Sequence, residues 1–176
     1  MMKIFILLLL PIVVHSSHYK GGTVTWKPVN PNSNATPIAI QISVKHSWTL
    51  ARFKCDQSLI NSRGPYYDQN AASTNPTLVC KSSAALCTSS LFVKIDNRTL
   101  CTDYNNIVQI STGAYYETQM LSKSTNIDIA YTGNAWADEI YVIGGSPPGN
   151  LAWYVGAHID LTQAVYPINS SPGRIL

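Results

Sequence analysis

The stretch Ile38-Ala-Ile-Gln-Ile-Ser-Val44 decides the fold class of this chain. Branched apolar residues alternate there with small or polar ones, and the same phase continues through His46, Trp48 and Leu50. Only an extended strand places every second residue on one face. Phe53 falls out of phase, so we expect a bulge or the end of the strand there.

A second long alternation runs from Trp153 to Leu161, with His158 and Asp160 on its polar face. No segment keeps a helical period. The sequence therefore predicts an all-β fold, an antiparallel β-sandwich of Ig-like or jelly-roll-like type. Shorter strands are expected at Thr23–Trp26, Leu91–Ile95, Ile107–Ile110, Ala114–Thr118, Ile127–Tyr131 and Ile140–Ile143.

The first sixteen residues have the pattern of a secretory signal peptide. Lys3 precedes an apolar run, Ile4–Val14, that is too short to span a bilayer. We expect residues 1–16 to be a signal peptide and residues 17–176 to form a single extracellular domain. No second apolar run approaches the length of a transmembrane helix.

The chain contains four cysteines, Cys55, Cys80, Cys87 and Cys101. An even number in a secreted chain indicates two disulfides, and their spacing does not match a zinc site. Of the three possible pairings we favour Cys80–Cys87 closing a short loop and Cys55–Cys101 joining its flanks. The region between Asp56 and Ser90 lacks strong periodicity, so we predict a long loop held by these bonds.

Composition excludes some classes of partner. Only 12% of the residues are charged, the formal net charge is +3, and the basic residues form no run. A nucleic-acid-binding surface or an anionic-membrane surface would require such a cluster. We therefore expect an extracellular protein or glycan as the partner, and no nucleic acid.

Three Asn-x-Ser/Thr triplets begin at Asn34, Asn97 and Asn169. Pro37 and Pro172 directly follow the first and the third, which should lower their use. Asn97 is therefore the expected glycosylation site.

Catalytic motifs are weak. His158 and Asp160 could orient a base, yet no nucleophile motif accompanies them, and a solvated sheet face is the preferred interpretation. His46 lies on the apolar phase and is expected to be semi-buried and hydrogen-bonded. Asp138 and Glu139 could join Asp103 in a calcium site, but no EF-hand spacing is present. We predict no catalytic residue, cofactor or metal.

The segment Arg63-Gly-Pro-Tyr-Tyr-Asp68 is a candidate partner-binding loop. Arg and Tyr are enriched where proteins contact one another, so we single out Arg63, Tyr66 and Tyr67. The alternative is an ordinary loop whose tyrosines pack on a sheet edge. Gly22 and Trp26 are expected to be structural, for backbone freedom and core packing respectively.

Several patterns in fixed order resemble a group of animal extracellular modules. The patterns are His18-Tyr-Lys-Gly-Gly leading to Trp26, a strand ending at Cys55, the pair Cys80 and Cys87, Cys101-Thr-Asp103, Tyr131-Thr-Gly-Asn-Ala-Trp136, and Asn169-Ser-Ser-Pro172. The resemblance implies an Ig- or cadherin-like sandwich at the front of a larger secreted or cell-surface protein. It implies no catalytic residue.

Three functions follow as hypotheses. The favoured one is a non-catalytic secreted or extracellular interaction module that binds a protein partner. The alternative is a secreted carbohydrate-binding or defence protein, in which exposed Trp and Tyr would stack on sugars. A secreted hydrolase has only His158 and Asp160 to support it.

Overall fold

The computed structural model describes residues 19–33, 35–65, 67–68, 77–96, 99–133 and 152–162, with residues 67, 68 and 96 described by their backbone alone. The predicted signal peptide and the predicted strand Ile140–Ile143 lie outside these residues. The strands are β1 Tyr19–Pro28, β2 Ile38–Thr49, β3 Phe53–Lys54, β4 Tyr67–Asp68, β5 Thr77–Cys80, β6 Ile95–Asp96, β7 Leu100–Asn105, β8 Ile110–Leu121, β9 Asn126–Gly133 and β10 Trp153–Asp160; the helices are α1 Gln57–Ser62 and α2 Ala84–Ser89.

The strand β2 confirms the prediction made from its alternation. Its residues from Ile38 to Trp48 are buried at every second position, while their neighbours face outward. The strand ends at Thr49, so Leu50 lies in a turn rather than in the strand, and Phe53 begins the separate strand β3. The break in phase at Phe53 therefore marks a strand end.

The strands form two antiparallel sheets of a β-sandwich. Sheet one has the order β1-β2-β8-β7 and sheet two has the order β10-β9-β5-β6, with β3 and β4 paired separately. The apolar face of each sheet is buried in one shared core. The two sheets are linked at one side, where the Trp26 indole N–H of β1 donates to the His158 carbonyl of β10 over 2.7 Å. Trp26 is thus a core residue, as expected.

Aromatic rings from several strands pack together in the core around Tyr19, the first residue of β1. Tyr19 stacks on Trp153 with ring centroids 4.0 Å apart, and His46 stacks on Tyr131 at 4.2 Å. A side chain at Gly22 would collide with the Tyr19 hydroxyl and with the backbone of β2. Gly22 is therefore required for close packing. The left-handed backbone, with φ of 134°, belongs to Gly21 instead, so the prediction that Gly22 provides backbone freedom is wrong.

Both predicted disulfides are present. Cys55 is bonded to Cys101 and Cys80 to Cys87, so the favoured pairing is confirmed. The first bond joins the chain before α1 to β7, and the second lies between β5 and α2. The region between Asp56 and Ser90 is more ordered than a loop, because it contains two helices and contributes β5 to sheet two.

Two short helices and several strand ends differ from the expectation. Each helix has six residues, and none of them is buried. The sequence of each helix therefore shows no helical spacing of apolar residues. The side-chain oxygens of Asp56 and Ser83 cap the N-termini of α1 and α2.

Several predicted strands differ in extent from the observed ones. Leu91–Ile95 is a strand only at Ile95, and Ile107–Ile110 is a turn until β8 begins at Ile110. The remaining short predicted strands lie inside β1, β8 and β9. No helix among the described residues is long and apolar enough to cross a membrane.

Candidate functional site

The most exposed large apolar side chain among the described residues, Ile107, lies in the turn between β7 and β8, Asn106–Gln109, here called the hairpin tip. Ile107 is 91% exposed and Val108 is 57% exposed. The side-chain oxygen of Asn105 accepts hydrogen bonds from the backbone N–H groups of Ile107 and Val108, at 2.8 and 3.1 Å. Two apolar side chains therefore project into solvent from a turn whose backbone is held in place.

Further contacts fix the hairpin tip to its neighbour in the fold. Gln109 has a left-handed backbone with φ of 54°, and its side-chain amide donates to the Asn106 carbonyl. The Leu50 N–H donates to the Gln109 carbonyl over 2.8 Å, which joins the hairpin tip to the turn after β2. The hairpin tip is consequently hydrogen-bonded to the turn after β2 at one end of sheet one.

This surface was not predicted, because the composition of Ile107–Ile110 indicated a strand. The available signal was the Asn105-Asn106 pair, since Asn favours turns and left-handed backbone. Ile107 and Val108, which follow this pair, favour strands, so the composition of the segment predicted a strand despite the two Asn residues.

The predicted partner-binding loop is only partly described. Arg63 is exposed and ends α1 in a left-handed conformation with φ of 51°. The next residues are anchored, because the Cys101 N–H donates to the Gly64 carbonyl and Pro65 bridges to Leu100. Tyr66 and the side chain of Tyr67 lie outside the described residues, although the Tyr67 backbone pairs with Lys54 in β4 and β3. Partner binding by this loop stays a prediction.

The hairpin tip is a separate surface from the base of the predicted partner-binding loop, Gly64 and Pro65, here called the loop base. Leu100 begins β7 and contacts the loop base at Pro65, whereas Asn105 ends β7 and forms the hairpin tip. A strand of six residues spans roughly 17 to 20 Å. The structure therefore does not bring Arg63 and the hairpin tip together.

His158 lies on an exposed strand face, in accord with the preferred interpretation. Its Nδ1 lies 2.9 Å from an Asp128 carboxylate oxygen, and the two residues face each other across β10 and β9. Asp160 instead accepts hydrogen bonds from the side chain and backbone of Thr162, which lower the pKa of its carboxyl. The carboxylate that orients His158 is thus Asp128 and not the predicted Asp160.

The Asp128 carboxylate also affects the ionisation of a nearby tyrosine, Tyr154. Partial burial, followed by the negative charge of Asp128, raises the pKa of Tyr154. The ring of Tyr154 also covers Gly156 in the same strand. These contacts are those of an ordinary cross-strand surface cluster.

His46 lies in the core and is hydrogen-bonded, as predicted, but it is fully buried rather than semi-buried. It is 1% exposed, and its Nδ1 lies 3.2 Å from the Tyr19 hydroxyl. Burial lowers the pKa of His46 to about 3 and raises the pKa of Tyr19. His46 is therefore neutral at physiological pH and inaccessible to a substrate.

Other predicted sites fall partly or wholly outside the described residues. Asn34, Asn97 and Asn169 lie there, as do Asp138 and Glu139 of the possible calcium site. Within the described ranges, no group of three or more His, Cys, Asp or Glu side chains could hold a metal ion. All four cysteines are in disulfides, so none is a thiol nucleophile.

Comparison with known proteins gives no relative. No family model matches the sequence, and no curated protein or solved structure matches it. The resemblance to animal extracellular modules therefore stays a prediction, and any functional assignment depends on the chain's own residues.

Proposed function

We propose that this chain is a non-catalytic extracellular interaction module that binds a protein partner through its hairpin tip. The observation that supports the proposal most directly is the 91% exposure of Ile107 on a turn with a restrained backbone.

Exposed apolar residues are common on protein surfaces when they occur singly. The hairpin tip is different because two apolar side chains are adjacent at a position where turns normally carry polar residues. A branched aliphatic side chain that projects from a turn can enter a pocket on a partner and act as a binding hot spot. Because the Asn105 side chain already orders the turn, binding would cost little additional conformational entropy.

Two features support an extracellular location. Disulfides persist mainly in oxidising compartments, and this chain forms two of them from all four of its cysteines. The apolar segment at residues 4–14 supports export through a signal peptide.

Cell binding by a fluorescent tetramer of the purified protein tests the proposal. We expect the wild-type tetramer to bind intact animal cells of at least one type, and protease treatment of those cells to remove the binding. Val108→Asp and Ile107→Asp should each lower binding at least tenfold, because a charge cannot enter an apolar pocket without a large desolvation cost.

The chain offers a matched control. Val29 is 55% exposed and lies just after β1, at the other end of sheet one from the hairpin tip. Val29→Asp places the same change on an equally exposed valine and should leave binding unchanged. Equal loss in the Val29 and Val108 variants, or wild-type binding that survives protease treatment, would contradict the proposal.

A hydrolase is the third hypothesis, and in the structure the pair that could support it is His158–Asp128 instead of His158 and Asp160. We propose that this pair is a surface contact. Purified protein that hydrolyses an ester or peptide substrate, and loses that activity in His158→Ala, would reverse this assignment.

A further inference from the structure

The outer face of sheet one carries a regular array of polar side chains, here called the outer platform. Inward residues of β1 and β2, such as Val24 and Ile42, are fully buried, so their neighbours point outward. The register aligns three rows across β1, β2 and β8: Thr23–Lys45–Ala114, Thr25–Ser43–Tyr116 and Lys27–Gln41–Thr118.

The chemistry of the outer platform is uniform. Every member except Ala114 has a hydrogen-bonding side chain, and none is a carboxylate. Lys27 and Lys45 are exposed and bring two positive charges. The outer face of sheet two has the opposite character, because Asp128 and Asp160 lie there. The outer platform is therefore complementary to an anion that also offers hydroxyl groups.

Tyr116 provides the one aromatic surface of the outer platform. It is 57% exposed, while Ser43 beside it is half-buried, so its ring stands above its neighbour. Lys45 lies one row away on the adjacent strand, within reach of a ligand stacked on that ring. Aromatic rings in binding sites pack against the apolar C–H face of a sugar ring while polar groups beside them fix its orientation.

The dimensions suit a short oligosaccharide. Strands lie about 4.8 Å apart and alternate residues about 6.8 Å apart along a strand, so three rows on three strands span roughly 10 by 14 Å. The array is preorganised because β2 pairs with both neighbours along this region. A face held by strand pairing on both sides binds an extended ligand without a closing motion.

We propose that the outer platform binds an acidic oligosaccharide. Tyr116 stacks on one sugar ring, Lys45 and Lys27 pair with its carboxylate or sulfate groups, and the Ser, Thr and Gln41 side chains bind its hydroxyls. A nucleic acid or an anionic membrane fits less well, because two lysines neutralise few phosphates and the apolar side chains that flank the platform, Leu100 and Met120, are only 38% and 49% exposed and lie on separate rows.

The outer platform matches the sugar-stacking surface expected from the sequence only in its exposed tyrosine. Exposed Trp and Tyr were expected to stack on sugars, but Trp26, Trp48 and Trp153 are buried in the core, and Trp136 lies outside the described residues. The platform instead depends on a single tyrosine, and on lysines that select acidic over neutral sugars.

An oligosaccharide array tests the proposal with the purified, disulfide-bonded protein. It should contain sulfated, uronic-acid-containing, sialylated and neutral oligosaccharides. We expect binding to acidic members only, weakening as salt rises. For the best of these, Tyr116→Ala and Lys45→Ala should each raise Kd at least fivefold, and Tyr116→Phe should retain most affinity because the ring remains.

Two controls separate this site from general charge effects and from the hairpin tip. Lys81 is exposed and follows β5 in sheet two, so Lys81→Ala should leave Kd unchanged, and so should Val108→Asp. An array without acidic binders, preference for neutral sugars, or a loss in Lys81→Ala equal to that in Lys45→Ala would overturn the proposal. Circular dichroism of each variant verifies that the surface change leaves the fold intact.

Discussion

His46 is neutral in the folded protein because it lies in the core beside Tyr19, Tyr131 and the rest of the aromatic cluster. Burial disfavours its protonated form and lowers its pKa from 6.5 to about 3. In the unfolded chain the same residue takes up a proton below about pH 6.5. The folded state thus loses stability when acid protonates the unfolded chain.

This difference predicts acid sensitivity with a defined pH window. The free energy of unfolding should be fully retained above about pH 6.5 and fall by about 1.4 kcal/mol per pH unit below it, toward pH 3, from His46 alone. Urea unfolding between pH 7 and pH 4 measures how the free energy of unfolding changes with pH. His46→Gln should reduce that slope by about 1.4 kcal/mol per pH unit, the contribution of one proton. If the wild type and His46→Gln show the same slope, His46 does not cause the acid sensitivity.

At the scale of elements, the two disulfides constrain very different lengths of chain. Cys55–Cys101 closes a separation of 46 residues, whereas Cys80–Cys87 closes one of 7. Loop-closure entropy grows with the length of chain enclosed. The longer crosslink also joins the chain before α1 to β7, which leads into the hairpin tip.

The two bonds should therefore contribute unequally to stability. Replacing Cys55 and Cys101 together with Ala should lower the free energy of unfolding by about 4 kcal/mol, and replacing Cys80 and Cys87 by about 2.5 kcal/mol. Chemical denaturation of both double variants measures the difference. A larger loss from the Cys80–Cys87 pair would show that native contacts around α2, and not loop entropy, dominate.

For the whole molecule, the sandwich separates three surfaces. The outer platform of sheet one is basic, the outer face of sheet two carries Asp128 and Asp160, and the hairpin tip is apolar. The two proposed ligands, a protein partner and an acidic glycan, would therefore bind at separate surfaces. Such an arrangement would suit a module that acts outside the cell.

Expression in animal cells tests the compartment. We expect the protein in the medium with an N-terminus near residue 17, because the first sixteen residues have the pattern of a cleaved signal peptide. Glycosidase treatment should reduce its mass, and Asn97→Gln should remove more of that shift than Asn34→Gln or Asn169→Gln, since proline follows the other two triplets. A chain retained in the cell with its N-terminus intact would contradict the prediction.

The sequence by itself determined the all-β fold class and the faces of the two long alternating strands, and it favoured one of three possible disulfide pairings, which the structure then confirmed. Alternation is a local property, so β2 and β10 could be recognised without knowledge of their neighbours. Tertiary structure alone decided that Ile107 and Val108 form an exposed turn, because the pairing of β7 with β8 fixes where those strands end. It also decided that Asp128 faces His158, and that Lys27, Lys45 and Tyr116 share one face. These contacts depend on strand order and register, which join residues far apart in the chain and leave no local period.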